Sequence, residues 1–209
     1  MQNERTVKLT DLCWDDIIFP RILNLLTFHD LFNMRCCSQL YKELIDQYFA
    51  KYVLHLDSKY FTKQQFLTLL EYCQNIRRIK LDNVDYVSND ILAQFFENNK
   101  NIEFLTIIGC NNISDQALKP VIYHFKKLTK ICLIDCNWIS EGFLDCFMQH
   151  HKTIEHFHLG GSGNISYNCI KRLMVQYKCK NMAENCNGIY IHNLEYVNVR
   201  CAVTFLLIF

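Results

Sequence analysis

The sequence predicts an α/β protein in which a short helical unit precedes a solenoid with a parallel concave sheet and outer helices. Three observations support this prediction. The chain aligns with itself four times at a shift of 26 residues. Each aligned unit opens with alternating apolar residues, which are typical of a strand. The first 50 residues lack this period and have apolar residues at helical spacing instead.

The composition is that of an ordinary folded chain of 209 residues, 50% apolar and 21% charged. A formal net charge of +1 gives no general basis for binding nucleic acid or acidic lipid, so we expect no nucleic-acid partner and no membrane partner. The N-terminus is charged and lacks the apolar segment of a secretory signal. The 12 cysteines include no C-x-x-C pair, which favours reduced, buried thiols and no cofactor. We therefore expect a cytoplasmic location, with the nucleus left open.

Residues 1–50 predict three short helices. Thr10 or Asp11 can cap the first, Asp30 begins the second, and Ser38 caps the third. Pro20 is expected to kink the first helix or to open its first turns. The apolar positions of the three helices are Ile17, Ile18, Ile22, Leu25, Leu26, Leu31, Phe32, Met34, Leu40, Tyr41, Leu44, Ile45 and Tyr48. So small a unit buries too little surface to fold alone, so it needs a neighbour or a partner.

Residues 51–177 predict about five strand–helix units. In each, an L-x-x-L-x-L pattern forms a strand, and a serine before the helix can bond a free N–H at the helix start. The aligned serines are Ser88, Ser114, Ser140 and Ser166. Asp115 and Glu141, directly after two of them, favour the positive end of the helix dipole.

Residues 178–209 fit the repeat less well. The period is lost after Tyr177 and is expected to return near Leu194, Val197 and Val199, without a covering helix. Because a repeat stack normally needs a polar end cap, these residues are either an irregular, truncated repeat or a short capping strand. The sequence leaves both alternatives open.

Two sets of residues resemble known motifs. Cys110 and Cys136, each followed by Asn and then by Ile-Ser-Asp/Glu, resemble cysteine-containing leucine-rich repeats. The N-terminal segment resembles an F-box at Leu12, Asp15 or Asp16, Ile17-Ile18, Asp30-Leu31 and Cys37-Ser38-Gln39. It departs at Cys13, where proline is usual, and at Gln39, where a basic residue is usual. This layout, over residues 9–177, is similar to that of the F-box/leucine-rich-repeat family.

The resemblance implies a function without bond chemistry. Such a chain would be the substrate-recognition subunit of an SCF-type E3 ubiquitin ligase complex, not an enzyme. Its F-box would bind the Skp adaptor and, through it, the cullin scaffold. Its repeats would hold an unknown protein substrate for ubiquitination and proteasomal degradation, so that it contributes proximity. The expected adaptor contacts are Leu12, Cys13, Ile17, Ile18 and Leu31. The alternative for each is a place in the unit's own core.

The strand positions that point away from the core are candidates for substrate binding, because repeats form extended binding surfaces. The selected residues are Arg78, Lys80, Phe104, Ile108, Lys130, Ile134, His156 and His158. The alternative for each is an ordinary solvated sheet face. Trp138, in the turn of its unit, is a further candidate contact, with packing against a neighbouring unit as the favoured alternative.

Other chemistry was weighed and not favoured. Cys132, His156 and His158 could be zinc ligands, but no carboxylate that would orient them is visible, so we expect no metal. A Cys–His nucleophilic pair arises freely among so many cysteines. The "GGSGN" segment lacks the Gly-Lys-Ser/Thr of a phosphate-binding loop. The main alternative function is a non-catalytic leucine-rich-repeat scaffold outside the ubiquitin system, favoured by the departures at Cys13 and Gln39.

Overall fold

A single parallel sheet runs through the chain. The computed structural model describes residues 11–162 and 164–177, together with the backbone of residues 189–192. The six strands lie in chain order, and each pairs in parallel with the next. They are β1 Leu54–Asp57, β2 Arg78–Asp82, β3 Phe104–Ile108, β4 Lys130–Ile134, β5 His156–Gly160 and β6 Ile189–His192. Leu105 lies opposite both Ile79 and Ile131, so the 26-residue period is the register of the sheet.

Helices connect the strands. They are α3 Lys63–Tyr72, α4 Asn89–Asn98, a 3₁₀ turn Asp115–Leu118 that continues into α5 Lys119–His124, α6 Glu141–His150 and α7 Tyr167–Gln176. Alternate strand residues are buried against these helices, and the others form what we call the open face of the sheet. The fold is thus the expected α/β arrangement of a parallel sheet with outer helices. The described helices are all too short or too polar to cross a bilayer.

The N-terminal unit begins with a wide helix, Trp14–Ile22, and a 3₁₀ turn, Leu23–Leu25. The backbone N–H of Ile18 reaches back five residues to the carbonyl of Cys13. Pro20 lies inside this helix, and the wider turn suits a ring that would clash with the carbonyl four residues earlier. Cys13 occupies the cap position and its side chain makes no capping bond, so the prediction that Thr10 or Asp11 caps this helix was wrong.

Two regular helices complete the unit, α1 Phe28–Cys37 and α2 Gln39–Lys51. Thr27 and Asp30 form a reciprocal capping box, so α1 begins at Phe28 and not, as predicted, at Asp30. Ser38 caps α2 as predicted, with its hydroxyl accepting from the N–H of Tyr41.

The N-terminal unit and the repeats share one apolar core. The Phe28 ring lies 4.8 Å from that of Phe61, which follows β1. Further along, phenylalanine side chains from successive units contact one another, as Phe66, Phe95 and Phe96 do. Each such ring contributes on the order of 2–3 kcal/mol when removed from water. Because the first repeat covers the helical unit, the unit gains a neighbour that its small size requires.

The turns after the strands repeat a left-handed residue. Asn83, Gly109, Asp135 and Gly161 all have positive φ and are spaced 26 residues apart. The N–H of each of the first three donates to the last carbonyl of the next strand, which extends the sheet ladder by one bond. A Cβ on Gly109 would lie 2.3 Å from Oδ1 of Asn83, so the alternation of glycine with Asn or Asp is a packing requirement.

The helix starts are bonded to one another across units. Asn89, Asp115 and Glu141 each accept from the backbone N–H of the aligned serine in the following unit, at 2.7, 3.2 and 2.8 Å. The sequence assigned Asp115 and Glu141 a role at the helix dipole, and the structure adds this bond between units. Ser88, Ser140 and Ser166 cap their helices as predicted. Ser114 makes no capping bond, because its hydroxyl accepts from Asn89 instead.

The repeat cysteines are buried at the same bend. Burial raises the pKa of Cys110 to about 11 and that of Cys136 to about 12, so both thiols remain protonated near neutral pH. Thiols in this state act as small apolar groups that pack between units.

The prediction for residues 178–209 falls almost entirely outside the described residues. Within them, β6 at Ile189–His192 pairs with β5, so the strand lies before the positions predicted from Leu194 onward. The repeating register therefore extends by one strand beyond Tyr177.

We expect Gly109→Ala to lower the free energy of unfolding by about 2–4 kcal/mol, since it combines a left-handed backbone with a steric clash. Adding Asn83→Ala should recover part of that loss. The control is Gly142→Ala, which lies in α6 with open space around it and should leave stability unchanged or raise it by up to about 1 kcal/mol. Urea denaturation measures all three. Equal effects of the two single substitutions would contradict the packing argument.

His151 should make stability depend on pH. Its Nε2 lies 2.9 Å from the carbonyl oxygen of Val121, and its ring stacks on Phe147. Burial lowers its pKa below the ordinary 6.5, so the unfolded chain takes up a proton first as the pH falls. This contribution is complete above pH 6.5 and is lost as the pH falls toward the folded-state pKa.

The measurement is urea denaturation of the wild type and of His151→Gln between pH 8 and pH 5.5. We expect the variant to lose less stability over this range, because its side chain does not titrate. A slope equal to that of the wild type would show that other groups, such as His156, cause the pH dependence.

Candidate protein-binding surfaces

The open face of the sheet brings together the eight side chains predicted for substrate binding, in rows fixed by strand register. The first row is Arg78, Phe104, Lys130 and His156; the second is His55, Lys80, Thr106, Cys132 and His158; the third is Asp57, Asp82, Ile108, Ile134 and Gly160. Neighbouring rows are separated by two residues, roughly 6.6 Å along a parallel strand. The predicted residues on this face are half-buried. The face is therefore a continuous surface with a different chemistry in each row.

The first row is basic and centred on an aromatic ring. The guanidinium carbon of Arg78 lies 4.7 Å from the centroid of Phe104, and Nζ of Lys130 lies 5.0 Å from it. Each cation–π contact contributes about 0.5–1 kcal/mol or more when it is partly desolvated. Nη1 of Arg78 donates to the backbone carbonyl of Lys51 at 2.9 Å, which fixes its guanidinium. Phe104 thus holds a cation from each neighbouring strand.

The end of β2 is already charge-compensated. Nζ of Lys80 lies 3.0 Å from Oδ2 of Asp82, and Nε2 of His55 lies 3.5 Å from the same oxygen. Burial opposes ionisation of Asp82, but the bond from Lys80 and the charges of Lys80 and His55 outweigh it and hold the pKa below its usual value. Lys80, predicted to bind substrate, therefore spends its charge within the protein.

Metal binding has one geometric candidate in the described part of the chain. Donor atoms of His55, Asp57 and Asp82 lie within 4.8 Å of one another. The ammonium of Lys80 competes with a cation for Asp82. The ligand set of Cys132, His156 and His158 weighed from the sequence does not meet that distance in the described residues. The pKa of His156 is lowered by burial and by Lys130, so its ring is neutral at pH 7.

The predicted adaptor contacts divide into exposed and buried side chains. Ile17 is 40% exposed, Cys13 is exposed, and Leu12 is half-buried. Ile18 is fully buried and Leu31 is 4% exposed. The assignment of Ile18 and Leu31 as adaptor contacts is corrected accordingly: both pack into the shared core, and they can only position the residues around them.

Sequence reasoning missed three exposed apolar side chains in the N-terminal unit. Leu25 is 81% exposed, Leu40 is 44% exposed, and Leu26 is partly exposed. All three were expected to belong to the apolar stripes of their helices. Leu25 instead lies in the 3₁₀ turn after the wide helix, where the helical spacing no longer holds. With Ile17 they form what we call the exposed leucine surface.

Trp138 packs within the fold. Its ring is partly buried against the core, and its indole N–H donates to the carbonyl of Gly109 at 3.3 Å. This is the packing against a neighbouring unit that the sequence offered as the alternative.

Comparison with known proteins shows the fold alone. No family model matches the chain, and no curated protein sequence matches it. A solved structure of the tropomodulin C-terminal domain from Caenorhabditis elegans is similar, with a TM-score of 0.50 at 10% identity. The likeness covers 72% of this chain and 91% of that chain.

Adjacent isoleucines test the division between core and surface. We expect Ile18→Ala to lower the free energy of unfolding by about 2–4 kcal/mol, because it leaves a cavity in the core. Ile17→Ala is the matched control and should cost less than about 1 kcal/mol, since its side chain is largely in water. Urea denaturation measures both. Similar losses would mean that Ile17 is also a core residue.

Proposed function

We propose that this chain is the substrate-recognition subunit of an SCF-type E3 ubiquitin ligase complex. Its N-terminal unit would act as an F-box that binds the Skp adaptor and, through it, the cullin scaffold. The open face would bind a protein substrate for ubiquitination and proteasomal degradation. The chain would perform no bond chemistry itself and would act in the cytoplasm, with the nucleus as a second location.

The observation that carries this proposal is the exposed leucine surface. Soluble proteins rarely leave several large apolar side chains together in water unless they bind a partner. Here Ile17, Leu25 and Leu40 are exposed on the same helical unit whose sequence resembles an F-box. A helical unit packed on one end of a repeat stack supports a division of labour between adaptor and substrate.

The arrangement also supports the proximity mechanism. The rings of Phe28 and Phe61 join the helical unit to the first repeat, and the carbonyl of Lys51 at the end of α2 accepts from Arg78 on the open face. An adaptor on the helices and a substrate on the sheet would thus be held in a fixed relation, which raises the effective concentration of one for the other.

Co-expression with the Skp adaptor tests the proposal. We expect the wild-type chain to co-purify with the adaptor and Ile17→Asp/Leu25→Asp to lose it, since two buried charges in the interface would cost several kcal/mol. The matched control is Tyr167→Asp, an exposed apolar-to-acidic change at the first residue of α7, which should retain the adaptor.

Circular dichroism establishes that each variant is folded. A folded wild-type chain without adaptor would favour the alternative of a repeat scaffold outside the ubiquitin system, consistent with the departures at Cys13 and Gln39. Equal adaptor binding by the double variant would move the interface away from the exposed leucine surface.

A further inference from the structure

We propose that the open face binds an extended acidic segment of a partner protein. The carboxylate of an Asp or Glu would lie between Arg78 and Lys130, and a large apolar side chain four residues away would pack on Ile108 and Ile134. The inference names the substrate class of the proposed function and rests on it for the word substrate. The binding itself does not require the adaptor.

The acidic preference comes from two cations that lack a carboxylate. Within the described residues, neither Arg78 nor Lys130 forms an ion pair. The nearby Glu103 is engaged by Arg77 at 3.5 Å. Two cations held against one ring repel each other, and a shared anion would remove that repulsion. Charge complementarity therefore favours an acidic partner at this end of the sheet.

Arg78 is held in place before any partner arrives. Its guanidinium stacks on Phe104, and Nη1 is bonded to Lys51. Its Nε is out of contact with solvent and has no hydrogen-bond partner in the described structure. A guanidinium fixed in this way loses little side-chain entropy on binding, and hydrogen bonds to ionised groups are the stronger kind.

The local charge favours a carboxylate over a phosphate. Arg77, Arg78 and Lys130 are balanced in part by Glu103 and Glu155, which leaves this end of the sheet with a net charge of +1. A monoanion neutralises that charge. A dianion would leave an uncompensated negative charge beside two glutamates, which is unfavourable.

The apolar preference comes from the third row. Ile108 and Ile134 are neighbours on β3 and β4, directly in line with Phe104 and Lys130. The first and third rows are four residues apart along the strands, roughly 13 Å. Residues i and i+4 of an extended segment point to the same side and span the same distance. The residue between them would face Thr106 and Cys132, which carry no charge at neutral pH.

The neighbouring strand limits where the acidic residue can bind. Asp57 and Asp82 lie in the same row as the two isoleucines. They repel a carboxylate from the apolar end, so the acidic residue of the segment is confined to the basic end. The face thus distinguishes the two ends of a segment by charge.

Selection from random peptides of about twelve residues tests this pattern without prior choice of a ligand. The peptides are displayed on phage and selected on the immobilised full-length chain. We expect enrichment of Asp or Glu four positions from a large apolar residue, on the wild type and on Lys119→Gln. Lys119, exposed on α5, is the matched control. Lys130→Gln should lose the acidic preference and keep the apolar one.

The enriched peptide is then synthesised with Glu, Gln or phosphoserine at the acidic position, and affinities are measured by fluorescence anisotropy. We expect Gln to weaken binding to the wild type by about tenfold and to have little effect on Lys130→Gln. No enrichment, enrichment without acids, or an equal acidic preference in Lys130→Gln would overturn the inference. Much tighter binding of phosphoserine would overturn the choice of a carboxylate.

Adaptor co-purification separates this inference from the proposed function. Lys130→Gln should still co-purify with the Skp adaptor, because Lys130 is far along the sheet from the exposed leucine surface. If the adaptor binds and no acidic peptide is selected, the inference fails while the proposed function stands. If acidic peptides are selected without adaptor binding, the inference stands and the proposed function fails.

Discussion

The whole structure depends on the fact that no single unit can bury its own apolar residues. A strand of five residues has one apolar face, and the helix that follows has one apolar stripe, which together enclose too little surface. Stacking at a constant 26-residue register joins these faces into one core. That requirement explains why the aligned core positions are apolar and why the turns repeat a left-handed residue. It also explains the bonds that pass from one helix start to the next.

The same constraint leaves the open face free to vary. Its side chains do not hold the units together, so a basic row, a small polar row and an apolar row can lie on one scaffold. The contacts across this face are mostly between neighbouring strands, as for Arg78, Phe104 and Lys130. Where Lys80 compensates Asp82, charge is used for internal balance, and where Lys130 has no carboxylate, it is available to a partner.

The N-terminal unit has the opposite problem, since it has more apolar side chains than it can bury. Packing on the first repeat covers Phe28, Ile18 and Leu31, while Ile17, Leu25 and Leu40 stay exposed. The wide helix around Pro20 contributes to this division because it departs from helical spacing and turns adjacent isoleucines to different environments. A unit that is half buried by its own chain is suited to bury its other half against an adaptor.

The sequence by itself determined the repeating units, the strand faces and most of the serine caps. These features depend on spacing within a unit and on a period that is visible without coordinates. Only the tertiary structure decided that Ile18 is core and Ile17 is surface, and that Thr27 begins α1. It likewise decided that Asp115 bonds the next unit, and that Lys80 is paired while Arg78 and Lys130 are not. The physical reason is that each of these outcomes depends on a packing angle or on a neighbour about 26 residues away, whose side chain competes for the same charge, hydrogen bond or apolar surface.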